Sequence, residues 1–273
     1  MRLSGFSDEI SPDLDEQCAL MRELGASHLD FRSAWDVNVV ELGAARIDDA
    51  ARRIAAAGLR VACVASPVGK APARDELDGQ LAKLRVAIDA AHRFGTRFIR
   101  IFSFYIPEGA SADELRPEVL DRMARLVEVA ESEDVVLLHE NETGTYGDLP
   151  SRCRDLMLTI DSPHLRSVID PANFVLAGTA PFDEGYRLLE DHLAYLQVKD
   201  AQTTGRTVPA GAGDGQIPQL VAALAERGYD GFLSVEPHLG HSTGFGGFSG
   251  PVGFRTAWRA LTEILDKEKV EYS

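Results

Sequence analysis

One pattern recurs along the chain and constrains its fold more than any other feature. A helical segment ends in a glycine, a brief connection follows, and a short apolar run comes next. The pattern reads Arg22-Glu-Leu-Gly25 before His28-Leu-Asp-Phe31, and Ala55-Ala-Ala-Gly58 before Arg60-Val-Ala-Cys-Val64. It recurs as Arg93-Phe-Gly95 before Phe98-Ile-Arg-Ile-Phe102, and as Glu226-Arg-Gly228 before Phe232-Leu-Ser-Val235. A glycine just past a helix takes the left-handed conformation that closes the last turn. A short apolar run straight after it reads as a strand buried on both faces. Further runs near Leu3, Val135–Leu138, Leu165–Ile169 and Leu193–Val198 bring the count to eight strands, starting every 26 to 39 residues. Between them lie helical periodicities, such as Leu77, Leu81, Leu84, Ala87, Ile88 and Ala91, or Val119, Met123, Leu126, Val127 and Ala130. Alternating strands and helices imply right-handed crossovers and a parallel sheet. Eight such units in 273 residues fit a closed (β/α)8 barrel of the α/β class better than an open doubly wound sheet. No linker, composition shift or charge run divides the chain, so residues 1–273 are expected to form one domain.

Charge removes one class of function. With 28 Lys and Arg against 43 Asp and Glu, the net charge is −15, the opposite of what phosphate-backbone binding requires. Nucleic acid is therefore not an expected partner. No run approaches the roughly 18 apolar residues of a membrane span, and Met1-Arg-Leu-Ser-Gly-Phe-Ser-Asp-Glu9 lacks the apolar core of a signal peptide. No membrane association is expected, and the expected location is the cytoplasm. The three cysteines, Cys18, Cys63 and Cys153, are odd in number and far apart, which predicts free buried thiols rather than disulfides or a zinc motif.

A barrel of this kind carries its chemistry at the C-terminal ends of its strands. Those ends read His139-Glu140-Asn141-Glu142, Ile169-Asp170-Pro-Ala-Asn173, Gln197-Val-Lys199-Asp200 and Val235-Glu236-Pro-His238. Four successive strands thus deliver a carboxylate or an amide to one face. Carboxylates clustered at the ends of apolar strands repel unless a cation joins them. Glu140, Asp170, Gln197 and Glu236 offer an oxygen-rich set that suits Mn²⁺ or Mg²⁺, with Co²⁺ or Zn²⁺ as further candidates. The competing interpretation is that each residue merely caps or pairs with a neighbouring loop.

Several of these pieces resemble the xylose-isomerase-like TIM barrel superfamily, in its sugar phosphate isomerase/epimerase branch. They are Gly5-Phe-Ser-Asp8-Glu9-Ile10, Ser66-Pro-Val-Gly69-Lys70, Arg100-Ile-Phe-Ser103-Phe104 and His139-Glu-Asn-Glu142 followed by Tyr146-Gly-Asp148. Asp170-Pro-Ala-Asn173, Val198-Lys-Asp200 and Val235-Glu-Pro-His238 complete the match. The resemblance implies metal ligands at Glu140, Asp170, Gln197 and Glu236, with Gln197 standing where ketose epimerases usually have histidine. It implies a metal-dependent isomerase or epimerase acting on a keto-sugar, a sugar phosphate or a polyol-derived ketone. Glu140 and Glu236 would be the pair that removes and returns a proton next to the carbonyl. An inosose-type dehydratase shares that first step, and a non-catalytic carbohydrate-binding relative is a further alternative. The nuclease branch, which assembles zinc from many histidines, is disfavoured by seven histidines and the negative charge. Relatives often pair through barrel faces, so the resemblance also admits a homo-oligomer.

Around this centre, Arg206, Lys199, His238 and Asn173 are the expected substrate-binding groups. Arg206 could equally be a solvated loop arginine, and Lys199 could instead pair with a metal-site carboxylate. His139 is read as packed outward, Glu142 as a supporting carboxylate, and Trp35 and Phe104 as pocket walls or loop packing. Two Gly-rich stretches, Ala210–Gly215 and Gly240–Gly250, have the look of anion-binding loops; the second is equally a candidate lid.

Overall fold

The computed structural model describes residues 1–240 and 249–273. The eight expected strands are all present: β1 (Arg2–Gly5), β2 (His28–Phe31), β3 (Arg60–Ala65), β4 (Phe98–Ile101), β5 (Val136–Glu140), β6 (Leu165–Ile169), β7 (Leu193–Val198) and β8 (Phe232–Val235). All pair in parallel, in the order β1-β8-β7-β6-β5-β4-β3-β2. A parallel bridge between Phe6 and Asp30 then joins β1 to β2. The sheet therefore curls into a nearly closed barrel, which leaves no long edge strand to solvent.

Helices α1 (Leu14–Glu23), α2 (Ala44–Ala56), α3 (Asp78–Phe94), α4 (Ala112–Ser132), α5 (Pro150–Ile160), α6 (Pro171–Leu176), α7 (Ile217–Glu226) and α8 (Gly250–Lys267) surround it. Their ends follow local sequence. Asp13 accepts the backbone N–H groups of Asp15 and Glu16 at the start of α1, and Ser111 and Glu114 form a reciprocal capping box on α4. Gly95 ends α3 at φ 71°, where any side chain would cost conformational energy. The crossover from β6 to β7 departs from one long helix: α6 is followed by a π-helical turn at Pro181–Tyr186.

Most of the apolar core lies between barrel and helices, where Leu14, Met21, Leu84, Leu126, Leu156, Leu220 and Leu261 are fully buried. A smaller cluster inside the barrel includes Cys63, Val136, Leu138, Val168, Tyr195 and Phe232. All three cysteines are free and buried, as their spacing predicts. Among the described residues, no helix is long and apolar enough to cross a membrane.

Candidate active site

Because every strand runs the same way, residues ending them converge at one rim. Glu140 is the last residue of β5, Asp170 follows β6 and caps α6 by accepting the Asn173 N–H at 3.0 Å, and Glu236 follows β8. Oxygens of Glu140, Asp170 and Glu236 lie within 4.8 Å of one another, and all three residues are buried. Alternation along β7 turns Gln197 and the more distal Lys199 toward the same centre. Gln197 Nε2 donates to Glu140 Oε2 at 2.9 Å. Lys199 Nζ makes a close ion pair with Asp170 and sits 3.9 Å from Glu236 Oε2. Asn173 Nδ2 donates to the Asn141 carbonyl at 2.8 Å and reaches Glu140 Oε1 at 3.4 Å. The residues singled out on four separate strands are thus brought together.

Sequence reasoning gave no role to two arginines and two acids that complete the cluster. Arg32, one residue past β2, sends Nε to Asp8 at 2.7 Å, Nη1 to Glu236 at 2.7 Å and Nη2 to Glu9 at 3.2 Å. Arg100, in the middle of β4, pairs with Glu140 at 2.9 Å and lies over the rings of Phe6 and Phe102. The available signal was a cation interrupting Phe98-Ile-Arg-Ile-Phe102: alternation puts it inside the barrel, where it must meet an anion. His238 Nε2 lies 3.3 Å from Glu236 and 3.4 Å from Glu9.

The electrostatics follow from burial set against these partners. Burial works to raise Glu236, but His238, Lys199 and Arg32 outweigh it and hold the carboxylate well below its usual range. Burial pushes His238 itself down, so near neutral pH the charge on Glu236 is balanced by Arg32 and Lys199. Burial raises Asp170, with Glu140 and Glu236 adding repulsion against the pull of Lys199. Lys199 is driven up by Asp170, Glu236 and Glu140 despite its burial. Burial, only partly countered by Arg32, pushes Glu9 up to about 8.

These residues suit a divalent cation. With Glu9 holding its proton near neutral pH, five carboxyl groups (Asp8, Glu140, Glu142, Asp170 and Glu236) still outnumber four basic side chains (Arg32, Lys70, Arg100 and Lys199). Gln197 Oε1 and Glu236 Oε2 are buried without a hydrogen-bond donor among the described residues, although such oxygens ordinarily find one. Glu140, Asp170, Gln197 and Glu236 would hold the ion, through oxygen alone.

Residues 18–267 match the family model described as xylose isomerase-like TIM barrel. The chain belongs to that family. A human protein named "Putative hydroxypyruvate isomerase" is 24% identical over 256 residues, covering 86% of this chain and 89% of its own. Among solved structures, the IOLI protein with a bound zinc atom superimposes with a TM-score of 0.79 at 16% identity, covering 98% of this chain and 99% of that one. The probable 3-DHS dehydratase AsbF of Bacillus anthracis superimposes with a TM-score of 0.77 at 16% identity, covering 96% and 99% respectively.

In this xylose isomerase-like barrel the cluster opens into a cavity of about 850 Å³, lined by Arg32, Lys70, Arg100, Glu140, Asn173, Lys199, Glu236 and His238 among others. Glu142 stands at the rim, 3.2 Å from Lys70. Arg206 is not brought to the cavity. It is exposed at the end of a hairpin that pairs Asp200–Ala201 with Thr207–Val208, and only its neighbour Thr207 lines the cavity. His139 points outward and is buried against Gly147, where an added Cβ would lie 2.4 Å from the imidazole. Trp35 and Phe104 pack in loops, near Arg53 and Arg122, and do not line the cavity. The stretch Ala210–Gly215 wraps the chain's own anion: Gly211, Gly213 and Gly215 donate their N–H groups to the Asp200 carboxylate at 2.8, 3.1 and 2.9 Å. The Gly-rich stretch after β8 falls largely on residues 241–248, outside the described residues.

Proposed function

We propose that this barrel is a divalent-metal-dependent isomerase or epimerase of a small keto-sugar, sugar phosphate or polyol-derived ketone, acting in the cytoplasm. The observation that carries the reading is the buried Glu140–Asp170–Glu236 triad, of which Glu140 and Glu236 line the cavity, together with a Gln197 amide oxygen that has no donor among the described residues. A proton next to a ketone is weakly acidic, so a base must be matched by something that accepts the developing oxygen charge. A bound Mn²⁺ or Mg²⁺ would supply that electrophilic stabilisation, with Co²⁺ or Zn²⁺ as alternatives.

Glu140 is the base in this reading. Arg100 and Gln197 orient its carboxylate from one side, which leaves Oε1 facing Asn173 and the cavity. Glu236, fixed by Arg32 and His238, stands across the triad; it delivers a proton to the opposite face after taking one from solvent, while Glu140 releases the abstracted proton to solvent. Lys199, His238 and Asn173 contact substrate oxygens, and Arg206 does so only if its hairpin reaches over the cavity.

A second reading, dehydration of a hydroxyketone, is favoured by one feature. Lys199 lines the cavity, and its ammonium can protonate a departing hydroxyl. The solved dehydratase of this fold is in line with it. The two separate in heavy water, with Mn²⁺ present and a panel of ketoses and carboxylated hydroxyketones. Deuterium at carbon without an enone band identifies isomerisation or epimerisation; a growing enone band identifies dehydration. Metal binding with neither signal across the panel would sink both and favour a carbohydrate-binding protein.

A further inference from the structure

The carboxylate cluster holds three cations of the chain's own, Arg32, Arg100 and Lys199, and Arg32 and Lys199 are held very differently. Arg32 is forked across Asp8, Glu9 and Glu236 with three separate nitrogens, so moving it breaks three hydrogen bonds to acids at once. Lys199 has one close partner, Asp170, and reaches Glu236 only at 3.9 Å. Its stem rises from β7 next to the cavity, and it is one of the cavity's lining residues. An ammonium on a four-carbon stem can swing, whereas a guanidinium engaged at three edges cannot do so without unpairing buried acids. The Asp170 oxygen that Lys199 contacts, Oδ2, has no other hydrogen-bond partner among the described residues, and Asp170 belongs to the triad whose oxygens converge within 4.8 Å.

We propose that Lys199 is a tethered counter-ion of the triad, displaced from Asp170 when a divalent cation binds, and that displacement turns its ammonium into the cavity toward substrate. The chain thereby couples metal loading to the presentation of a proton donor. This rests on the metal-dependent reading of the site, and the test separates the two.

Mn²⁺ binding is measured by titration calorimetry on wild type and Lys199→Met, with circular dichroism as a check that the variant is folded. In parallel, wild type is pulse-labelled with acetic anhydride, with and without saturating Mn²⁺, and acetylation is read by mass spectrometry. The exposed Lys83 and Lys267 serve as internal references. The expected result is about one ion bound by wild type, at least tenfold tighter binding by the variant, and a several-fold rise in Lys199 labelling on Mn²⁺ addition with the references unchanged. Labelling needs no variant, so a Lys199→Met protein that fails to fold leaves the proposal testable. If wild type binds Mn²⁺ while affinity and labelling are indifferent to Lys199, displacement is overturned and the metal reading survives. Binding by Lys199→Met alone would mean that the lysine permanently replaces the ion, which also overturns displacement. Binding by neither protein removes the metal reading itself and the displacement with it.

Discussion

Two layers inside the barrel bury carboxylates, and they do it in opposite ways. In the middle layer Asp30 is fully buried, and among the described residues no cation pairs with it. Instead it accepts hydroxyl hydrogen bonds from Tyr195 and Ser234, both at 2.5 Å, with Ser4 behind Tyr195 at 3.0 Å. Burial pushes Asp30 up to about 6, against the pull of those hydroxyls. At the rim, by contrast, Glu140, Asp170 and Glu236 are gathered with Arg32, Arg100 and Lys199, and acceptor oxygens there are left without donors among the described residues. A carboxyl group held by neutral hydroxyls has its hydrogen-bonding needs met and calls for no further ligand. Several charges crowded together with unmet valences make a costly arrangement, of the kind found where a ligand completes the set. The middle layer fits a structural role, and the rim fits the chemistry proposed for it.

Substitution at the rim is the strongest way to break that contrast. Glu140→Gln keeps the shape and an acceptor for Arg100 but removes the base. Proton exchange at substrate carbon is expected to slow by about 10²- to 10⁴-fold, while the melting temperature moves by only a few degrees. Unfolding of the variant with no separable effect on exchange would show that the rim is structural after all.

The middle layer carries the next effect, in stability rather than rate. The Asp30 carboxyl titrates near 3.8 in the unfolded chain and near 6 in the folded one, so between those values the folded protein holds a proton that the unfolded chain has released. Stability from this group is present below pH 4 and is lost as pH rises through 6, by about 3 kcal/mol for roughly two pK units. Urea unfolding of wild type and Asp30→Asn from pH 4 to 7 is expected to show that difference disappearing in the variant, with Mn²⁺ binding at the rim unchanged. Parallel pH profiles would mean that Asp30 is ionised throughout, and the two layers would then differ less than their partners indicate.

What the sequence discloses divides along the same line. The eight strands are legible because each is a short apolar run, four of them behind a helix-ending glycine, and both signals are local. Glu140, Asp170, Gln197 and Glu236 are legible because strand ends fall at one rim in any parallel barrel. The partner of each is not, because pairing depends on how far strands shear past one another. Nothing in the sequence puts Arg32 against an acid 204 positions away, or Tyr195 against Asp30. Ala210–Gly215 misleads for a related reason: its N–H groups do converge on an anion, but the anion is Asp200, supplied by the chain itself.

A smaller effect tests the chemistry of the rim rather than its existence. Gln197 contributes an amide oxygen where imidazole would favour the later transition metals. Gln197→His is expected to tighten Zn²⁺ binding by about tenfold and to leave Mg²⁺ nearly unchanged, as read by calorimetry with each ion. Equal gains for both ions would show that the amide acts through its 2.9 Å hydrogen bond to Glu140 rather than through its free oxygen.

The smallest expected effect lies at Arg206. Its hairpin neighbour Thr207 lines the cavity and donates to the His238 carbonyl at 2.6 Å, so the hairpin base is anchored to the rim. Arg206 itself is exposed to solvent, and surface substitutions of that kind move stability by less than about 0.5 kcal/mol. If the hairpin stays where it is, Arg206→Ala leaves the melting temperature in place and changes kcat/KM by less than about twofold. A rise in KM of tenfold or more at constant kcat would instead require the guanidinium to reach substrate. The hairpin would then have to fold over the cavity when substrate binds, and the rim would be assembled in part by its ligand, which the rigid hydroxyl cage around Asp30 never is.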